Sequence, residues 1–194
     1  MMYTFFFVED DTHRIFVELL VPETAKSISV VKGCGYFHSH MKKLKNMSQS
    51  QRVVVMLDKD IDDICIQDRI SGYIPFEQYS SLPNLMFLIP VNEIESWILA
   101  DRQGFAEHFK VPLNKLPQNP DTLDNPKESL INIIRQYSIK MYKDDLVPIG
   151  SEPYGRNYFN TMKHFIHNKW SQERATQNSP SLKKCLEHIE QYIL

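Results

Sequence analysis

Four short apolar runs punctuate the first half of the chain: Tyr3 to Val8, Ser27 to Val31, Arg52 to Leu57 and Leu85 to Val91. Each is rich in β-branched and aromatic residues, which predicts strands. Between them, Thr12 to Leu20, Tyr36 to Met47 and Asp62 to Ile70 have helical spacing or helix-forming composition. Strands that alternate with helices predict an α/β fold with a mainly parallel sheet covered on both faces. The third run is apolar at every position after Arg52. That is the pattern of a strand buried on both sides, so it is expected near the sheet's centre.

Beyond the fourth run, Ile94, Trp97, Ile98 and Ala100 predict an amphipathic helix, with Asn92 as its N-cap and Asn92 and Glu95 spaced for a capping box. Four prolines from Val111 to Pro126 inclusive interrupt regular structure. Asn125-Pro126 then predicts a helix through about Tyr142, a further helix is expected around Tyr158 to Trp170, and Ser179-Pro180 opens a final one. The chain is thus read as an α/β core over 1–110, a proline-rich excursion over 111–126 and a helical C-terminal extension over 127–194 packed on the core.

Composition narrows the class. At 194 residues, 42% apolar and 24% charged, the chain suits an ordinary globular protein of one domain with a small addition. No apolar stretch approaches spanning length, and Phe5 to Val8 runs straight into Glu9, Asp10 and Asp11, so neither membrane span nor signal peptide is expected. Three separated cysteines without a CxxC pair suggest neither zinc site nor disulfide framework, and a cytoplasmic location is expected. Acidic residues outnumber basic ones over 1–126 and the reverse holds over 127–194, an imbalance too small to define a partner.

The candidate chemistry is carboxylate. Asp58 and Asp60 follow the buried third strand, and extended backbone sends residues i and i+2 to one side, about 6.6 Å apart. Glu9 ends the first strand, and Glu93 and Glu95 follow the fourth. Sites of open parallel sheets lie beyond the carboxyl ends of their strands. Such a cluster needs compensating positive charge, and oxygen-only donors favour Mg²⁺ or Mn²⁺ over zinc. Two ions about 4 Å apart activate water and stabilise the leaving oxygen in phosphodiester cleavage. Taken singly, each carboxylate is equally a helix cap, and Asp62 and Asp63 are assigned only to the first turn of the next helix.

Phe7-Val-Glu-Asp-Asp, Val53-Val-Val-Met-Leu-Asp-Lys-Asp and Val91-Asn-Glu-Ile-Glu-Ser-Trp-Ile-Leu-Ala-Asp stand in an order and spacing that resembles the Toprim-like proteins encoded beside ABC-type ATPases in bacterial anti-phage systems. The RloB-like proteins and the overcoming-lysogenization-defect nucleases are relatives of that kind. The resemblance covers about the first hundred residues, and Asn125-Pro-Lys-Glu-Ser-Leu and the closing helix are similar to the tails of small members. It implies that Glu9, Asp58, Asp60 and Glu95 hold Mg²⁺ or Mn²⁺, with Glu93 as a substitute ligand and Lys127 near the scissile phosphate. It further implies a nuclease acting on DNA or RNA with a nearby-encoded ABC-type ATPase as partner. One departure is Asp10, which stands where many members have glycine and bears on the local backbone or on activity.

Weaker signals have plainer readings. His38-Ser-His-Met-Lys-Lys-Leu-Lys, with Arg52 beyond, is either a contact for a nucleic-acid backbone or a solvated helix face. His38 with His40 should diverge on a helix, and His164 with His167 has no evident third ligand. Trp97 is read as core and Lys59 as structural or surface. Two other classes remain open: a haloacid-dehalogenase-like phosphatase with an aspartate nucleophile, which leaves Glu9 unused, and a non-catalytic subunit of an ATPase complex.

Overall fold

The computed structural model describes residues 3–21, 26–59 and 65–192. The chain divides into two compact units, one of residues 1–91 with 185–194 and one of residues 92–184. The fold is α/β, a parallel sheet flanked by helices with a C-terminal helical extension, consistent with a Toprim-like architecture.

In the first unit, β1 (Thr4–Val8), β2 (Lys26–Val30), β3 (Arg52–Met56) and β4 (Leu85–Leu88) pair in parallel in the order β2-β1-β3-β4. The expected central position of the third strand is met, and β1 shares it. Val8 pairs with both Val30 and Met56, and Met56 with Leu88, so the four carboxyl ends are level. Pro90 has no N–H to continue the ladder, and β4 stops at Leu88, short of the expected Val91.

Helix α1 (Asp11–Leu20) packs on β1 and β2, and α2 (Gly35–Ser48) on β3 and β4. Phe37, Met41 and Leu44 form the buried face of α2 and meet Val53, Val55, Leu57, Leu85 and Phe87. The end of α1 is closed by the Lys26 ammonium, which donates to the carbonyls of Val17 (3.2 Å), Glu18 (3.1 Å) and Val21; the Val17 carbonyl also accepts the Val21 amide at 3.1 Å. Lys32 and Gly33 turn the chain into α2 with φ of 56° and 108°. Two short helices, α3 (Ile66–Ser71) and α4 (Phe76–Tyr79), precede β4. Asp62 and Asp63 lie outside the described residues.

The second unit is helical: α5 (Glu95–Ala100), α6 (Arg102–Phe109), α7 (Pro126–Tyr137), α8 (Lys140–Leu146), α9 (Tyr158–Asn168) and α10 (Gln172–Thr176), followed by the start of α11 (Pro180–Tyr192). Trp97, Phe105, Phe109 and Phe165 are fully buried. The rings of Phe105 and Phe109 lie 4.5 Å apart, and that of Phe165 is 5.0 Å from Phe109.

Two helical expectations are corrected. Asn92 does not cap a helix: it adopts a left-handed φ of 65°, its amide donates to the Leu123 carbonyl at 2.5 Å, and α5 begins only at Glu95. The helix expected from Pro126 to about Tyr142 is broken at Ser138, whose extended backbone ends α7 and whose hydroxyl donates to the Phe109 carbonyl at 2.5 Å. In both places a short polar side chain takes a long-range acceptor that local spacing does not reveal.

Candidate metal centre

The level ends of β1 and β3 bring Glu9 and Asp58 together. The Glu9 amide donates to the Met56 carbonyl at 3.0 Å, continuing the ladder by one residue. The Asp58 amide in turn donates to Glu9 Oε2 at 3.1 Å. The Glu9 side chain therefore lies across the end of β3, and the Asp58 carboxylate is nearly buried, with 6% exposure for the residue. Asp60, two residues further on, lies outside the described residues.

A residue not singled out by the sequence pattern completes this group. His13, on the buried face of α1, places Nδ1 2.8 Å from Asp10 Oδ1 and Nε2 3.1 Å from Asp58 Oδ1. An ionised carboxylate only accepts, so a ring that bonds one on each side carries a proton on both nitrogens. Burial disfavours that cation, but the Asp58 charge and the hydrogen bonds to Asp10 and Asp58 outweigh it and hold the His13 pKa well above the ordinary 6.5. His13 is an imidazolium clamped between two aspartates.

Asp10 also explains its own presence. Its Oδ1 accepts from the amides of Thr12 (2.8 Å) and His13 (3.1 Å), making it the N-cap of α1. Its backbone is extended, with φ −144° and ψ −177°, so glycine is not required there. The available signal was Asp10 directly before a helical pattern with histidine three residues on. Lys59 is buried at 9% exposure, and Arg69 donates to the Asp58 carbonyl at 3.4 Å.

A second charged group occupies the helical unit. Glu95 is fully buried, and its Oε1 accepts from the Tyr158 hydroxyl at 2.8 Å and faces Lys127 Nζ at 3.4 Å. Glu93 Oε2 accepts from the Lys127 amide at 2.7 Å, doing at the start of α7 what the Asn125 side chain does not. Glu93, Glu95 and Lys127 are thus gathered on one helix start. Glu93 and Lys127 also line an open cleft of about 320 Å³ with Asn132 and Arg135. In the sequence Tyr158 marks only a helix start, and no local pattern links it to Glu95.

The donor chemistry of Glu9 and Asp58 suits a hard divalent cation, since both offer carboxylate oxygens at a strand-end edge. Among the described residues, no three His, Cys, Asp or Glu side chains come together as a ready metal cluster. The two histidine pairs behave as helix residues: His38 lies tilted against Tyr73, His40 stacks on Tyr36, and the His164 ring lies beside Asn168.

No protein-family model and no curated protein matches the chain. Among solved structures it is similar to the C-terminal region of the Burkholderia pseudomallei OLD protein, with 15% identity over 100% of both chains and a TM-score of 0.48. None of the helices is long and apolar enough to cross a membrane among the described residues.

Proposed function

We propose that the chain is a metal-dependent nuclease that hydrolyses phosphodiester bonds of DNA or RNA. The observation that supports it best is the juxtaposition of Glu9 and Asp58 at the carboxyl edge of the two central strands, where open parallel sheets place their sites. We assign metal ligation to Glu9, Asp58 and Asp60. Glu95, with Glu93 as its substitute and Lys127 beside both, forms the second charged group, for which the sequence resemblance implies a part in metal and phosphate binding. When bound, Mg²⁺ or Mn²⁺ supplies Lewis-acid activation of water and neutralises charge on the leaving oxygen. His13 holds the Asp58 carboxylate by one oxygen, and Tyr158 and Lys127 hold Glu95 by one oxygen. Outer partners of this kind orient ligands and typically change affinity or activity by about 10- to 100-fold.

We further propose, on the sequence resemblance alone, that the nuclease is the effector of a bacterial anti-phage system with an ABC-type ATPase partner. A cleavage assay with that ATPase, ATP and Mg²⁺ or Mn²⁺ tests this. Glu9→Gln and Asp58→Asn should each lower the rate by at least about 100-fold, since loss of an outer partner alone can do as much. Wild-type rates in both variants would contradict the assignment.

A second reading is favoured by His13. Its cation already balances Asp58, so the carboxylates serve the fold and the chain is a non-catalytic subunit. That reading expects a stable complex with the ATPase and no cleavage under any metal condition.

A further inference from the structure

Helix α2 is charged in one sense only. Its residues Gly35–Ser48 include Lys42, Lys43 and Lys45 with two histidines and no Asp or Glu, although the chain as a whole carries a net charge of −2. His38, Lys42 and Lys45 recur at i, i+4 and i+7 and share a flank, away from the core face of Phe37, Met41 and Leu44. Seven residues of helix span about 10 Å, so the flank is a basic stripe.

This stripe connects to the strand-end carboxylates through a chain of contacts. Arg69 donates to the Asp58 carbonyl at 3.4 Å, and its guanidinium lies 5.2 Å from the centre of the Tyr73 ring. The Tyr73 ring lies 4.3 Å from that of His38, tilted by 33°, and also lies over Phe87 of the sheet at 6.2 Å. Tyr73 is half-buried and fixed against the core, whereas His38 is exposed. A rigid ring thus backs an exposed one beside a row of lysines.

We propose that this flank of α2 binds single-stranded nucleic acid, with a base stacked on His38 and the backbone lying along Lys42 and Lys45. The proposal deepens the nuclease reading and rests on it, by naming the form of substrate led toward Asp58. Stacking on an aromatic or imidazole ring needs a base whose face is open, which a duplex does not offer. Lysines alone would not distinguish the two, because they read only phosphate charge.

The test is fluorescence anisotropy of the full chain in EDTA, with a labelled single-stranded oligonucleotide of about 12 nucleotides and a duplex of the same sequence. Cleavage is silent there, so the outcome is independent of metal ligation, which the metal titration reports by itself. Wild type should bind the single strand at least about tenfold more tightly than the duplex. His38→Ala should weaken it about tenfold with its salt dependence unchanged, and His38→Phe should restore binding. Lys42→Gln with Lys45→Gln should reduce the salt slope by about 1.4, roughly 0.7 for each phosphate that is no longer neutralised. No binding by wild type, equal binding of duplex and single strand, or an unaffected His38→Ala would each overturn the proposal.

Discussion

Replacing His13 with alanine is expected to cost the first unit about 3 kcal/mol, because it removes the imidazolium that bonds the buried Asp58 carboxylate. Asp10 is 30% exposed at its side chain and keeps the Thr12 and His13 amides, so it contributes less to the loss. Denaturant unfolding in EDTA measures the effect. If a divalent cation takes the place of the missing charge, adding Mn²⁺ should restore more stability to His13→Ala than it adds to wild type. Restoration would support the metal reading, and a loss under about 1 kcal/mol would contradict the clamp.

The same clamp has a pH signature. The folded pKa of His13 is raised above its unfolded value near 6.5, so the folded state binds the proton more tightly. The resulting stabilisation is fully present below the unfolded value and is lost as pH rises through the folded one. Stability measured in EDTA should therefore decline from neutral to alkaline pH by a component that His13→Gln lacks. Superimposable pH profiles for the two proteins would count against an imidazolium at this position.

The second large effect is expected at Gly104. Asp101 is fully buried, and its carboxylate accepts from the amides of Gly104 (3.0 Å) and Ser171 (2.8 Å) and from Arg174 Nε (2.6 Å) and Nη2 (2.7 Å). The amide of Gly104 can approach this closely because glycine has no Cβ: one placed there would overlap both the Asp101 carboxylate and the Arg174 guanidinium. Gly104→Ala should therefore break the pair at a cost of about 3–5 kcal/mol, lowering the melting temperature by roughly 10 °C at about 2–4 °C per kcal/mol. Arg174→Ala removes the cation itself while leaving Asp101 its two backbone donors, and should cost a comparable amount. A melting temperature within about 2 °C of wild type for Gly104→Ala would show that the network yields without loss.

The parallel sheet and the central place of β3 were legible because burial on both faces leaves an uninterrupted apolar run at Val53 to Leu57, and the carboxylates begin where it stops. Glu9 and Asp58 were legible as strand-end acids, and they meet because β1 and β3 are neighbours with Val8 opposite Met56, which lets the Asp58 amide, two residues past Met56, reach the Glu9 carboxylate. His13 was not legible in the same way. It sits on the buried face of α1, where a period reading expects an apolar residue, and its partner Asp58 is 45 residues away. Tyr158 and Glu95 are 63 residues apart and meet only through the packing of the helical unit. Asn92 misled because asparagine suits both an N-cap and a left-handed turn, and only the distant Leu123 carbonyl decides between them. Local pattern thus exposed the strand-end acids and hid the long-range partners that hold them.

The most direct test of the proposed metal centre is calorimetric titration of Mg²⁺ and Mn²⁺ into the wild-type chain and into Asp58→Ala/Asp60→Ala, with folding of both checked by circular dichroism. Saturable binding by wild type that disappears in the double variant is the expected result. Absence of binding in both, or equal binding in both, would contradict metal ligation by Asp58 and Asp60 and leave the carboxylates to the fold.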